Sequence, residues 1–255
     1  MPKNWNHAAG ILWQVLIALA DKKVVTTYGE LARRISTGNR NVRLALGPIQ
    51  DFCRENSLPP LTVLVVNKKT GNPGAGFIDP GIGELKDIEK AVHDFKWKNM
   101  QNPFSGFGPE DTIESFAQTL IDKPEQAADI YARVKVRGPA QKIFRHVLLK
   151  AYNRQCAMCG FSFVEALEAA HIVPWSKCKQ AAQRISPNNG ILLCANHHML
   201  FDKRRITVTQ KYKIEWPDKK DRQASILLNG KQLRLPKDEK LYPDPDLLRT
   251  RKDRK

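Results

Sequence analysis

The sequence predicts an α+β chain in three parts, and three observations carry that expectation. Apolar residues recur at helical spacing as far as about residue 56, then give way to a β-branched run and a turn. Helical spacing alone continues over 81–137. Beyond residue 138, two Cys/His pairs at metal-ligand spacing bracket a short, strand-rich stretch. The expected domains are 1–80, 81–137 and 138–255.

Residues 7–20 read as an apolar helix, buried around most of its circumference. Thr26 or Thr27 can cap the next helix, Tyr28–Ile35, which places Leu31, Ala32 and Ile35 on one face. Gly38-Asn39 marks a turn. A third helix is expected from about Asn41 to Glu55, stopped by Asn56 and Pro59-Pro60. Leu61–Val66 then reads as a strand, and Lys69-Thr70-Gly71-Asn72 turns the chain into Gly76-Phe77-Ile78. Three helices closed by a hairpin describe a winged-helix type of module. In the connector, Leu85, Ile88, Ala91, Val92 and Phe95 share a helical spacing, as do Ile113, Phe116 and Leu120, then Ala128, Ile130 and Tyr131. Gln101–Gly108 is a loop.

Composition narrows the partners. The chain has 255 residues with 42 Lys+Arg against 26 Asp+Glu, a net charge of +16. Residues 1–80 carry 10 basic and 5 acidic side chains, 81–137 carry 8 and 10, and 138–255 carry 24 and 11. Two basic blocks thus flank a slightly acidic connector, which points to a polyanion, with nucleic acid first and an anionic membrane surface second. No apolar run reaches the ~18 residues of a bilayer span. The apolar run Ala8–Ala20 mimics a signal peptide, but His7, Trp13 and Gln14 and the weakly basic start argue against one. Five cysteines, an odd number, fit a reducing compartment, and the cytoplasm is expected.

The first block resembles the DNA-binding domain of the O6-alkylguanine-DNA alkyltransferases and the alkyltransferase-like proteins. The matching stretches are Val25–Ala32, Asn41–Gly47, Leu58-Pro59 and Gly74-Ala75-Gly76-Phe77. That family's reactive cysteine lies in a Pro-Cys-His-Arg segment, where this chain reads Leu61-Thr62-Val63-Leu64-Val65-Val66. Alkyl transfer is therefore not expected, and Cys53 reads as a small buried hydrophobe. The resemblance implies binding to double-stranded DNA, with Tyr28 near a phosphate and Arg43 inserted beside the bases.

Cys156-Ala-Met-Cys159 and Cys194-Ala-Asn-His197 repeat one x-x spacing and together make a Cys3His set of the structural zinc type. Cys178 is the remaining thiol of this region. Between and after the pairs lie Glu168-Ala169-Ala170-His171, Pro187-Asn188-Asn189-Gly190 and His198-Met199-Leu200-Phe201-Asp202. This order resembles the HNH nucleases of the ββα-metal kind over most of 138–250. The resemblance implies His171 as general base, Asn189 as the residue holding it or its loop, and His198 with Asp202 as holders of a catalytic Mg2+ or Mn2+. The residue types suit that chemistry. Neutral imidazole accepts a proton near pH 7, side chains at i and i+4 share a helix face, and carboxylate oxygen favours hard cations. His197 is assigned to zinc by spacing, although His197 and His198 could exchange roles.

In many such nucleases the residue before the base is a metal ligand, where this chain has Ala170. Either His198 and Asp202 suffice with waters, or Glu168 reaches in. Lys203, Arg204 and Arg205, Lys219-Lys220 and the tail Arg249–Lys255 are candidate phosphate contacts, with the tail expected to fray. The expected function is metal-dependent DNA endonuclease, giving 5′-phosphate and 3′-hydroxyl ends. The domain pairing suggests bacterial restriction or anti-phage defence with defence-system protein partners, in the manner of a Zorya-type nickase. The rivals are a non-catalytic DNA-binding protein on the same fold and a sensor of modified bases.

Overall fold

The computed structural model describes residues 4–78, 81, 84–216 and 228–253, so Lys219-Lys220 and the last two residues lie outside the described residues. The chain divides into two compact units, 1–112 with 133–139, and 113–132 with 140–255. The stretch 81–137 is thereby shared between them.

In the first unit, helix α1 (Trp5–Lys22) is capped by the Asn4 side chain, which accepts from the Asn6 and His7 amides, and it ends at Lys23 in the left-handed region. It buries Ala8, Ala9, Leu12, Trp13, Leu16 and Ala20 on one side. Ile11 is exposed, so the buried face is narrower than the burial around most of the circumference expected for this apolar run. Strand β1 (Thr26–Thr27) leads into α2 (Tyr28–Arg34). Thr27 caps α2, and Glu30 returns its carboxylate to the Thr27 amide (2.9 Å) and the Thr26 hydroxyl (2.8 Å). Helix α3 (Val42–Glu55) carries Pro48 in its interior, at the cost of one ladder bond. It buries Cys53, whose thiol burial pushes up to about 11. Trp13 anchors the core, edge-on to Phe52, Trp97 and Phe104 at 5.4, 5.8 and 6.2 Å.

The expected closing hairpin differs. Leu61–Leu64 is a 3-10 turn following Pro59-Pro60, and β2 is only Val65–Val66, paired parallel with β1. Among the described residues, a single bridge from Val66 to Pro73 stands where a wing was expected. These four turn residues are buried, so their β-branched, apolar character serves core packing rather than an exposed ladder. Helix α4 (Leu85–Asp94) also belongs to this unit and presents Ile88 and Val92 to the core.

The second unit starts with α5 (Ile113–Asp122), α6 (Ala127–Arg133) and α7 (Arg137–Ala151), of which α6 and α7 pass through the unit boundary. Strands β3 (Leu167–His171) and β4 (Gly190–Cys194) pair antiparallel, helix α8 (Ala195–Asp202) follows at once, and β5 (Thr207–Val208) pairs with β6 (Ile214–Glu215). The core gathers Phe144 and Leu148 of α7, Leu167 and Ala170 of β3, Ile191–Leu193 of β4 and Phe201 of α8. Helix α9 (Pro245–Asp253) includes the first part of the stretch Arg249–Lys255 that composition suggested would fray. Its Leu248 is 1% exposed and Arg251 only 7%. Within the stretch expected to fray, Arg251 is anchored by interior partners that a reading of its charge could not reveal, while Arg254 and Lys255 lie outside the described residues. Among the described residues, no helix is long and apolar enough to cross a membrane.

Candidate functional site

The β3–β4 ribbon sets the geometry. Its register pairs Leu167 with Cys194 at one end and His171 with Gly190 at the other. The metal-type cluster and the candidate base are thus held at opposite ends, about 13 Å apart at ~3.3 Å per residue.

At the first end, the turn after α7 runs through Asn153 and Arg154, both left-handed, and Gly160 has φ 78°. The Ala157 amide donates to the Leu192 carbonyl (2.8 Å), which ties this knuckle to β4. Cys194 is the cap residue of α8, so His197 projects from its first turn. His197 Nδ1 lies 3.4 Å from Cys156 Sγ and 3.2 Å from Cys194 Sγ. One donor atom from each of Cys156, Cys159, Cys194 and His197 fits within 4.8 Å of all the others. Burial works against a Cys156 thiolate, yet hydrogen bonds from His197 and nearby backbone amides outweigh it and bring that thiol down to about 6. Burial and the neighbouring Cys156 sulfur push Cys159 up to about 12, and the same causes raise Cys194. Three sulfurs this close cannot all ionise unaided, whereas a divalent cation would hold all three as thiolates. The donor set and its closeness fit zinc.

At the other end, His171 Nε2 is 2.9 Å from the Arg184 carbonyl oxygen. A carbonyl only accepts, so Nε2 carries the hydrogen and the lone pair of the neutral ring is on Nδ1. The ring stacks on Phe144 (4.0 Å, 18°) and stands edge-on to Trp175 (6.0 Å). Opposite His171, Gly190 has no room for a side chain. A Cβ there would come within 2.6 Å of both Leu148 Cδ1 and Phe144 Cζ. Asn189 is fully buried and spans the loop between the strands. Its Oδ1 accepts from the Val173 amide (2.8 Å), and its Nδ2 donates to the carbonyls of Val173 (3.1 Å) and Gln183 (2.9 Å).

On α8, His198 Nε2 lies 3.3 Å from Asp202 Oδ2, and His198 Nδ1 bonds Glu168 Oε2. One imidazole is therefore bracketed by two carboxylates. Ala170 is fully buried, and Glu168 is the strand carboxylate that meets α8. Lys203, Arg204 and Arg205 follow α8 as exposed residues. In the first unit, Tyr28 Oη accepts from the Gly74 amide (3.1 Å) and lines a cavity of about 290 Å3 with Arg40, Arg43, Gln50 and Phe77.

Reasoning from sequence missed Arg184 and Asn188, and it offered Arg251 as a phosphate contact in a solvated tail, whereas Arg251 is buried and donates to backbone carbonyls. Their partners lie 13 to 80 residues away, and neither spacing nor residue type announces such contacts.

A family model described as HNH endonuclease matches residues 156–209. The match takes in both Cys/His pairs, β3, β4 and α8, so this stretch is an HNH endonuclease domain carrying a Cys3His cluster able to hold a metal. It is a domain of the nuclease class and implies contact with nucleic acid. No curated protein matches the chain.

Proposed function

We propose that the chain is a metal-dependent DNA endonuclease that nicks or cleaves phosphodiester bonds. In this reading 1–80 grips the duplex, 81–137 connects and 138–255 cuts. The observation that carries it is that one HNH domain holds a tautomer-fixed His171 on β3 and, on α8, the His198–Asp202 pair.

His171 Nδ1 takes a proton from the attacking water while Nε2–H stays bonded to the Arg184 carbonyl, which steadies the imidazolium as it forms. Asn189 holds the loop that carries Arg184, and Phe144 fixes the ring plane. His198 Nε2 and Asp202, completed by waters, would hold Mg2+ or Mn2+, with Glu168 on the far ring nitrogen orienting His198; the cation when bound offsets charge on the phosphorane and the departing 3′ oxygen. Cys156, Cys159, Cys194 and His197 would hold a structural zinc that clips α7, β4 and α8 together. Lys203, Arg204 and Arg205 serve as phosphate contacts, with Tyr28 and Arg43 as contacts of the first unit. The setting is bacterial restriction or anti-phage defence in the cytoplasm. Supercoiled plasmid supplies the test. Wild type with Mg2+ or Mn2+ converts it to open-circular or linear forms, chelator abolishes this, and Asp202→Ala reduces it. Equal conversion in chelator would rule the reading out.

A second reading is a sensor of modified bases. The cavity lined by Tyr28, Arg40, Arg43, Gln50 and Phe77 favours it, since aromatic and guanidinium groups suit an unstacked base. Comparing affinity for modified and plain duplexes separates the two readings.

A further inference from the structure

We propose that Arg251, on helix α9, is a positioning residue that sets the strand end carrying His171 against the helix end carrying Asp202. At 7% exposure it is buried unusually deeply for an arginine. Its Nη1 donates to the carbonyls of His171 (3.3 Å) and Ile172 (2.8 Å), and its Nη2 to that of Phe201 (2.6 Å). The same Nη2 lies 3.5 Å from Asp202 Oδ1, and the guanidinium sits 3.8 Å from the Phe201 ring centroid.

A guanidinium offers its donors in one rigid plane, so the carbonyls of two different elements are held at a fixed separation. A lysine, with a single ammonium, cannot reach all of them together. The charge also faces the C-terminal end of α8, where the last carbonyls concentrate negative potential. Asp202 is divided between two neighbours, with Oδ1 toward Arg251 and Oδ2 toward His198 Nε2. Arg251 thereby turns one carboxylate oxygen into the site. Helix α9 is itself secured, since the Asp244 amide donates to the Asn188 carbonyl (2.9 Å) and the Leu248 amide to the Asp244 carbonyl (3.1 Å).

The consequence for catalysis rests on the nuclease reading above, whereas the effect on geometry does not. The experiment compares full-length wild type, Arg251→Met and Arg251→Lys, each checked for folding and zinc content. Backbone amide exchange is followed in the segments 167–175 and 195–206, Mn2+ affinity by calorimetry, and kcat and KM by plasmid nicking. In Arg251→Met, exchange speeds up in both segments, Mn2+ binding weakens about tenfold, and kcat falls about tenfold with KM for DNA unchanged. Arg251→Lys recovers part of each loss. Wild-type exchange and Mn2+ affinity in folded Arg251→Met would overturn the proposal. If that variant does not fold, the same result in Arg251→Lys overturns it. A wild-type protein that neither cuts DNA nor binds Mn2+ would defeat the nuclease reading, and amide exchange would still decide the role of Arg251.

Discussion

Asn188 and Asn189 are chain neighbours whose side chains pin two different segments. Asn189 holds the loop from Val173 to Gln183, while Asn188 Nδ2 donates to the carbonyls of Lys240 and Tyr242, both at 2.8 Å. Two adjacent amides thus fasten the segment around His171 and the segment leading to Arg251. Asn189→Ala strips partners from buried backbone groups at about 1–3 kcal/mol each, so a loss of at least ~2 kcal/mol is expected in urea unfolding. Asn188→Ala should cost about 1 kcal/mol, because its partners lie nearer solvent. Equal losses in the two variants would contradict this division.

Zinc removal tests the cluster. The second unit builds its knuckle from short turns and a five-residue strand pair, so the clip supplies much of the local stability. Dialysis against a strong chelator should release one zinc per chain and open 156–209 to protease, and Cys194→Ser should do the same without chelator. Protein purified with no zinc, yet resistant to protease, would count against the site.

Gly190→Ala probes the contact between packing and chemistry. The added methyl would collide with Phe144 and Leu148, and overpacking of this kind costs about 1–3 kcal/mol. Phe144 supports the His171 ring, so nicking should fall more than stability alone explains. The check is kcat measured well below the midpoint of thermal unfolding.

Acid should weaken the first unit through Glu30. Hydrogen bonds from the Thr27 amide and from the Thr26 and Thr27 side chains hold its carboxyl below the usual value of 4.5. A folded value below the unfolded one means that the contribution is fully present above 4.5 and is lost as pH falls through the lower, folded value. Glu30→Gln should flatten the acid limb of the stability curve in that window. An unchanged acid limb would exclude the capping box as its source.

The legible parts of the chain were those where function and spacing coincide locally. The Cys156/Cys159 and Cys194/His197 pairs converge because each is an x-x repeat on a turn or helix start. His198 and Asp202 meet because residues at i and i+4 stack on a helix. Helices α1, α3, α4 and α5 follow their apolar periodicity. The Leu61–Leu64 stretch deceived because β-branched residues mark burial as readily as strand. The sequence offers Glu168 as a ligand, but its contact with His198 depends on how β3 and α8 pack. The interior role of Arg251 was hidden for a related reason. A charged tail reads as solvated until the carbonyls it reaches are known.

In the function we propose, His171 is the base of a metal-dependent DNA endonuclease. Its most direct test is nicking of supercoiled plasmid in Mg2+ or Mn2+ by wild type beside His171→Ala, each with verified fold and zinc content. Wild type should nick in a metal-dependent way, and the variant should lose at least about 100-fold, the scale of general-base catalysis. Nicking by His171→Ala at the wild-type rate would contradict it.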